Sequence, residues 1–222
     1  PADHLQALLT GSLARLCATV PEINAEFVEN AKRSTHEFLQ GNTAAINPDV
    51  RVQTLQVAAS VDEGNIFDAF TSCFQQLKDD AIRKDVLRAI GAVRQKEAVL
   101  DWCNSDAVKL QDFFYPIFSV SLSSAEGREV AWDYFQRNFD KIHQRIEKVP
   151  TMITEAVVEA SCGAFATTEK QDDIKHFFEQ HPMPLLQRKL AQILESIGNR
   201  AKVLEQFRQA GLLDDSAAWS RL

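Results

Sequence analysis

Apolar residues recur at steps of three and four along most of the chain, which is the spacing of one face of an α-helix. One run follows Asp62 and Glu63, acids that suit a helix N-terminus, and a second run ends at Gly91. Together the two runs predict a helical hairpin. The apolar residues that define it are Ile66, Phe67, Phe70, Phe74, Leu77, Ile82, Val86, Leu87 and Ile90.

The same unit returns after a polar break at residues 104–106. A helix is predicted from Leu110, and Pro116 should kink or shorten it because proline lacks an N–H and clashes with the preceding turn. An aromatic stripe then runs over residues 131–142, and a further helix is predicted from Thr151 to Cys162.

The last third of the chain shows two more helical patterns. Thr167-Thr168-Glu169 resembles a helix cap, with apolar residues behind it. After a break at residues 181–184, the apolar pattern continues through Gly198, which predicts the end of one helix and the start of another.

The beginning of the chain carries a helical face as well, formed by Leu5, Leu8, Leu9, Leu13 and Leu16, and Pro21 opens a helix that includes Phe38. No segment alternates apolar and polar residues as a strand does. Short helices joined by polar turns are typical of stacked helical hairpins, each burying one face against its neighbours. We therefore predict an all-α fold, a superhelical stack of hairpins with an inner and an outer surface.

Charge and hydropathy exclude two classes of partner. The net charge of −7 argues against a nucleic-acid partner, because that affinity comes from Lys and Arg. The longest nearly apolar run, Phe113 to Val120, is far shorter than the ~20 residues that span a bilayer, and no signal pattern opens the chain. The four cysteines are widely spaced, which predicts buried thiols in a reducing compartment. We expect no membrane contact and a cytoplasmic location.

No catalytic residue and no metal site are predicted from the residues themselves. His36-Glu37 opens like the zinc-peptidase motif H-E-x-x-H, but Gln40 stands where the second histidine is needed. No nucleophile elbow or glycine-rich phosphate loop occurs. The acidic pairs lie at predicted turns or helix starts, where carboxylates cap free amides. These pairs are Asp79-Asp80, Asp172-Asp173 and Asp214-Asp215.

Two other groups have a structural and a functional interpretation. The aromatic set of Trp132, Tyr134, Phe135 and Phe139 shares a helical stripe, which favours packing in the core over a ligand box. Gln111-Asp112 opens a helix after the polar break, where side chains can either cap the helix or face a groove. Both interpretations of Gln111-Asp112 remain open.

Three stretches in the second half resemble the C-terminal helical domain of one enzyme family. That family is the zinc aminopeptidases related to puromycin-sensitive aminopeptidase, aminopeptidase N and the endoplasmic-reticulum aminopeptidases. The stretches are Lys109-Leu110-Gln111-Asp112, then residues 127–139 reading GREVAWDYFQRNF, then Phe165-Ala166-Thr167 with Phe177-Phe178 behind it. The sequence departs from the family at Tyr134, where Phe is usual, and at Phe139, where Trp is usual.

The resemblance implies an armadillo- or HEAT-like superhelix, with residues 1–222 a single C-terminal domain from a larger aminopeptidase. Such a domain closes over the catalytic domain of the same polypeptide, forms a wall of the peptide chamber and restricts access to the zinc site. The family's catalytic motifs are absent here, so this chain alone should lack peptidase activity and hold no cofactor, with zinc expected in the parent's catalytic domain. Peptide substrates are the expected ligands.

The resemblance also implies which residues line the chamber: Lys109, Gln111, Asp112 and Arg128. Arg128 pairs with a neighbouring helix or meets substrate, and both roles stay open. The main alternative function is a free-standing helical-repeat scaffold that binds a partner protein. A cryptic hydrolase would need a cleft with converging titratable groups, for which the sequence gives no sign.

Overall fold

A computed structural model of the chain describes residues 25–210 and, ahead of them, Leu13. The described residues form eleven α-helices and no strand, which confirms the all-α prediction. The predicted apolar face from Leu5 to Leu16 and the opening at Pro21 lie outside the described residues, apart from exposed Leu13. The helices are α1 (Ala25–Leu39), α2 (Arg51–Val61), α3 (Ile66–Gln76), α4 (Asp80–Ala89), α5 (Lys96–Cys103), α6 (Phe114–Ser123), α7 (Ala125–Arg137), α8 (Phe139–Ile146), α9 (Thr151–Cys162), α10 (Thr168–Gln180) and α11 (Gln187–Gln209).

The chain divides into two compact units, residues 1–103 and residues 104–222. Helices α1 to α5 belong to the first unit and α6 to α11 to the second. Short 3-10 turns at residues 43–45, 48–50, 90–92, 110–112 and 184–186 connect the helices. No described helix is both long and apolar enough to cross a bilayer. The single domain over residues 1–222 stays a prediction.

In the first unit, α2 packs against α1 and α4 around a core of Phe38, Leu55, Phe70, Val86 and Leu87. The predicted hairpin is confirmed as α3 and α4. The Asp62 carboxylate accepts a hydrogen bond from the Ile66 N–H at the start of α3. Asp79 caps α4 by accepting from the N–H groups of Ala81 and Ile82, as predicted for an acidic pair at a helix start.

In the second unit, α6 and α7 form a tightly packed hairpin. Ser124 caps α7 by accepting from the Gly127 N–H at 2.9 Å. A Cβ at Gly127 would lie 2.2 Å from the Val120 carbonyl oxygen, so only glycine allows the two helix backbones to approach this closely. Pro116 lies in the first turn of α6, where its missing N–H breaks no helical bond. The helix begins at Phe114, later than the predicted start at Leu110.

The core of the second unit is aromatic. Trp132, Phe135, Phe177 and Phe178 are buried and their ring centroids lie 5.1–6.2 Å apart. Tyr134 and Phe139 are buried as well. The predicted core role of the aromatic set is therefore confirmed, although Asn138 divides its stripe between α7 and α8.

The predicted helix break at Gly198 is wrong, because α11 runs without interruption from Gln187 to Gln209. The Gln171 amide of α10 donates to the Leu194 carbonyl at 2.8 Å and lies over Gly198. A Cβ at Gly198 would meet that amide nitrogen at 2.8 Å. The glycine serves a close approach between helices, which its position in the sequence alone does not distinguish from a helix end.

The capping prediction is also wrong for Asp172-Asp173, which lie inside α10 and not at its start. Thr167 caps this helix by accepting from the Lys170 N–H. Asp173 instead accepts a hydrogen bond of 2.8 Å from the Trp132 indole N–H. The pair Asp214-Asp215 lies outside the described residues.

Candidate functional site

The strongest candidate site in the second unit is the polar loop, residues 104–112, which leads into α6. Lys109 and Gln111 are exposed and Asp112 is half-buried. All three lie on one tight turn, in which the Asp112 N–H donates to the Lys109 carbonyl at 2.9 Å and the Phe113 N–H donates to the Leu110 carbonyl at 3.3 Å. The loop therefore presents a cation, an amide and a carboxylate side by side.

Arg145 of α8 contacts the polar loop through two hydrogen bonds and lies near the ring of the residue that follows it. Its guanidinium donates to the Asn104 side-chain oxygen at 3.1 Å and to the Ser105 carbonyl at 3.0 Å. The same guanidinium lies 5.0 Å from the centre of the Phe113 ring, within the range of a cation–π contact. One side chain thus contacts the start of the loop and the residue that follows its end.

Asn104 links the polar loop to the core of the second unit. It is 3% exposed, and its amide nitrogen donates to the Tyr134 hydroxyl of α7 at 3.3 Å. Its amide uses one group as donor and the other as acceptor, which a buried amide requires. Tyr134 stands where the family that this sequence resembles usually has Phe. The hydrogen bond accounts for the difference, because the tyrosine hydroxyl accepts from the buried Asn104 amide.

Arg128 lies apart from the loop. It is a half-buried residue in the first turn of α7, and burial lowers the pKa of its guanidinium while neighbouring Glu129 opposes that change. The loop lies at the N-terminal end of α6, and Arg128 follows the C-terminal end of that helix. Because α6 and α7 pack as a hairpin and Gly127 lies against Val120, Arg128 is placed beside the second half of α6. About seven residues of that helix, or about 10 Å along its axis, therefore lie between the loop and Arg128. The structure groups Lys109, Gln111 and Asp112, and leaves Arg128 separate.

Sequence reasoning missed Asn104 and Arg145, the residues that fix the loop. In the sequence, Asn104 is recognisable only as part of a polar break. Arg145 lies 41 residues from Asn104 along the chain, and no spacing pattern links the two. The only signal was indirect, because a polar Tyr134 on an otherwise apolar stripe requires a hydrogen-bonding partner when buried.

The first unit holds a cavity of about 840 Å³ beside α1. Its apolar lining includes Leu39, Val61 and Ile66, and Lys32 and His36 contribute polar groups. Thr35 is 1% exposed and its hydroxyl has no hydrogen-bond partner. The side-chain nitrogens of His36 and Gln40 lie 2.9 Å apart, so the histidine contacts the residue that replaces the second zinc-motif histidine.

A second, polar cavity of about 460 Å³ lies beside α9 and α11 in the second unit. Lys189 pairs with Glu159 at 2.6 Å. Arg200 donates to the Phe165 carbonyl at 2.9 Å and also to the Gly163 carbonyl. Gly163 is the residue that follows the end of α9. Lys189, Glu159 and Arg200 are therefore engaged in contacts within the protein.

The described residues do not fit a metal site. Within residues 25–210, no three or more His, Cys, Asp or Glu side chains are grouped so that they could hold an ion. Cys73, Cys103 and Cys162 are buried free thiols, as predicted, whereas Cys17 lies outside the described residues. Burial raises the pKa of Cys73 and Cys162, which keeps both thiols neutral and unreactive.

Comparison with known proteins gives one consistent family. The profile of the ERAP1-like C-terminal domain matches residues 1–199. Aminopeptidase M1-B of Oryza sativa subsp. japonica is 28% identical over 93% of this chain, and Aminopeptidase M1 of Arabidopsis thaliana is 26% identical over 93%. Aminopeptidase 2 of Candida albicans is 25% identical over 80%. The chain spans about a quarter of the length of the two plant relatives, 24% of each.

Proposed function

The chain belongs to the ERAP1-like C-terminal domain family, and from this premise we propose that it is the non-catalytic C-terminal domain of a zinc aminopeptidase. The family assignment confirms the resemblance inferred from the sequence. In the proposed function the domain forms a wall of the peptide chamber and restricts access of substrates to the zinc site. The partners are the catalytic domain of the same polypeptide and peptide substrates.

The observation that carries this proposal is the extent of the match. Nearly the whole chain aligns with proteins named aminopeptidases, yet it corresponds to only 24% of each of two of them. Because the described residues do not fit a metal site, the zinc would lie in the catalytic domain of the parent protein. The chain's own contribution would then be to bind the distal part of a peptide and to exclude larger substrates sterically.

The polar loop is the part of the wall that would contact peptide. Exposed Lys109 can attract a carboxylate, and Gln111 can both donate to and accept from a peptide backbone. Arg128 lies about 10 Å away along α6, a distance that an extended peptide spans with about three residues. In this proposal the loop and Arg128 contact different parts of a long substrate.

The proposed setting is the cytoplasm, without contact to membrane or nucleic acid. Three buried free thiols are compatible with a reducing compartment. The net charge of −7 opposes binding to phosphate backbones.

The proposal is tested with the full-length gene product and peptides of increasing length. In a Lys109→Ala/Gln111→Ala variant, we expect the KM for peptides long enough to reach the loop to rise about tenfold with little change in kcat, because binding energy unrelated to the reacting bond is lost. Lys141→Ala, an exposed lysine on α8, is the matched control. A KM that is the same in variant and wild type at every length would contradict the proposed wall.

A further inference from the structure

We infer that Arg145 is the positioning residue of the polar loop, and that it controls affinity for long peptides without touching them; this rests on the proposed function. Arg145 donates to Asn104 at 3.1 Å and to Ser105 at 3.0 Å, and neither acceptor is among the residues expected to meet peptide. Its effect on substrate therefore passes through the shape of the loop.

The geometry requires an arginine in particular. The two bonds come from two different nitrogens of one planar group, Nη1 to a side-chain oxygen and Nη2 to a backbone oxygen. The plane also lies near the Phe113 ring. A lysine ammonium is a single point charge. It cannot place two donors at fixed positions against these two acceptors and contact the ring at the same time.

Arg145 is not needed to hold α8 in place. That helix packs through Phe139, Ile142 and Ile146, which are all buried, whereas Arg145 is half-exposed. The bond from the Asn104 amide to the Tyr134 hydroxyl does not involve Arg145, so we expect it to persist when Arg145 is replaced. Substitution of Arg145 should therefore loosen the loop while the helices around it stay folded.

A loosened loop would weaken peptide binding for a definite reason. The two hydrogen bonds from the Arg145 guanidinium, here called the fork, fix the start of the loop. The exposed residues Lys109 and Gln111 follow within a few positions. Without the fork, binding of a peptide must restore the order of these residues, and the lost conformational entropy is subtracted from the affinity. The expected effect is on KM for long peptides.

The first measurement is hydrogen exchange of the loop amides in the full-length protein, comparing wild type, Arg145→Lys and Arg145→Gln. We expect exchange over residues 104–112 to become about tenfold faster in both variants, with the amides of α7 and α9 protected as in wild type. Arg137→Gln, which alters an exposed arginine on neighbouring α7, is the control and should leave loop exchange at the wild-type rate. Loop exchange unchanged in both Arg145 variants would overturn the inference, whatever the enzyme kinetics show.

The second measurement is the ratio of KM for a long peptide to KM for a single aminoacyl substrate. We expect this ratio to rise about tenfold in Arg145→Gln with kcat for the long peptide retained. If Lys109→Ala/Gln111→Ala raises the ratio and neither Arg145 variant does, the positioning role is wrong while the proposed function stands. If loop exchange accelerates but no variant changes the ratio, both the proposed function and the positioning role are contradicted.

Discussion

The two units differ in how completely their buried polar side chains are bonded. In the first unit, the Thr35 hydroxyl and the Arg51 Nε are buried without a hydrogen-bond partner. In the described part of the second unit, residues 104–210, no buried side-chain nitrogen or oxygen lacks one. Trp132, Asn104 and Thr154 each bond to a residue on another element.

The three stretches that carry the family resemblance all lie in the second unit. In the second unit, the motif residues Gly127 and Trp132 occupy positions that admit almost no other side chain. The core of the first unit mixes aromatic and aliphatic side chains, such as Phe38 and Leu55, and such positions tolerate exchange of one apolar residue for another. A fully bonded polar framework also holds a binding loop more exactly than an apolar core does. The four predictions below test this contrast through the free energy of unfolding.

The largest effect is expected at the centre of the second unit. Trp132→Ala removes a fully buried indole and leaves Asp173 without its donor, so it should lower the free energy of unfolding by about 3–5 kcal/mol. Urea denaturation measures this change. Asp173→Asn keeps an acceptor for the indole and should cost less than about 1.5 kcal/mol. Equal costs for the two variants would show that the charge on Asp173, and not ring packing, dominates.

A smaller loss is expected from the buried ion pair of the first unit. Arg51 is 6% exposed and its Nη1 lies 2.9 Å from Asp85, so Asp85→Ala leaves a buried cation without that partner. The expected loss is about 3 kcal/mol, at the low end for buried pairs because Asp85 is partly exposed. Glu63→Gln breaks the exposed Arg94–Glu63 pair and should change stability by less than about 0.5 kcal/mol. Similar losses at both sites would contradict the burial argument.

Two close-packed glycines of the second unit, Gly127 and Gly198, should respond differently to alanine. At Gly127 the new methyl group meets the backbone oxygen of Val120, so α6 and α7 must separate, and we expect a loss of about 2–3 kcal/mol. At Gly198 it meets only the flexible end of Gln171, and the better helix propensity of alanine offsets the lost hydrogen bond. Gly198→Ala should therefore lie within about 1 kcal/mol of wild type in thermal unfolding. A larger loss at Gly198 than at Gly127 would refute this account.

The smallest effect should be a gain. Thr35→Val replaces an unbonded buried hydroxyl with a methyl group of the same shape, and should raise the free energy of unfolding by about 1 kcal/mol. Thr154→Val is the matched change in the second unit, where the hydroxyl donates to the Ile146 carbonyl at 2.9 Å. That variant should be destabilised, by about 1 kcal/mol. Stabilisation of both variants would remove the contrast between the units.

Helix positions were predictable because the apolar period reports a local property of the chain. The period and caps located α3, α4, α9 and α10 closely. The errors at Gly198 and Asp173 have one physical origin: each residue serves a contact with a residue more than 25 positions away, Gln171 for the first and Trp132 for the second. A pattern read along the chain contains no information about such contacts.

The site was predictable in part for the same reason. Lys109, Gln111 and Asp112 form one local turn and share a short motif, so the sequence placed them together. Arg145 and Asn104 hold this turn in place through a contact between residues far apart in the chain, which exists only in the folded unit. The position of Arg128 beside the second half of α6 likewise follows from the packing of α7 against α6, which the sequence pattern does not reveal.

The most direct test of the central claim is hydrolysis of an aminoacyl fluorogenic substrate by this chain and by the full-length gene product, each with and without a zinc chelator. The account predicts release by the full-length protein alone, abolished by the chelator. Chelator-sensitive release by the 222-residue chain itself would contradict a non-catalytic domain. Inactivity of both proteins would instead favour a scaffold that binds a partner protein.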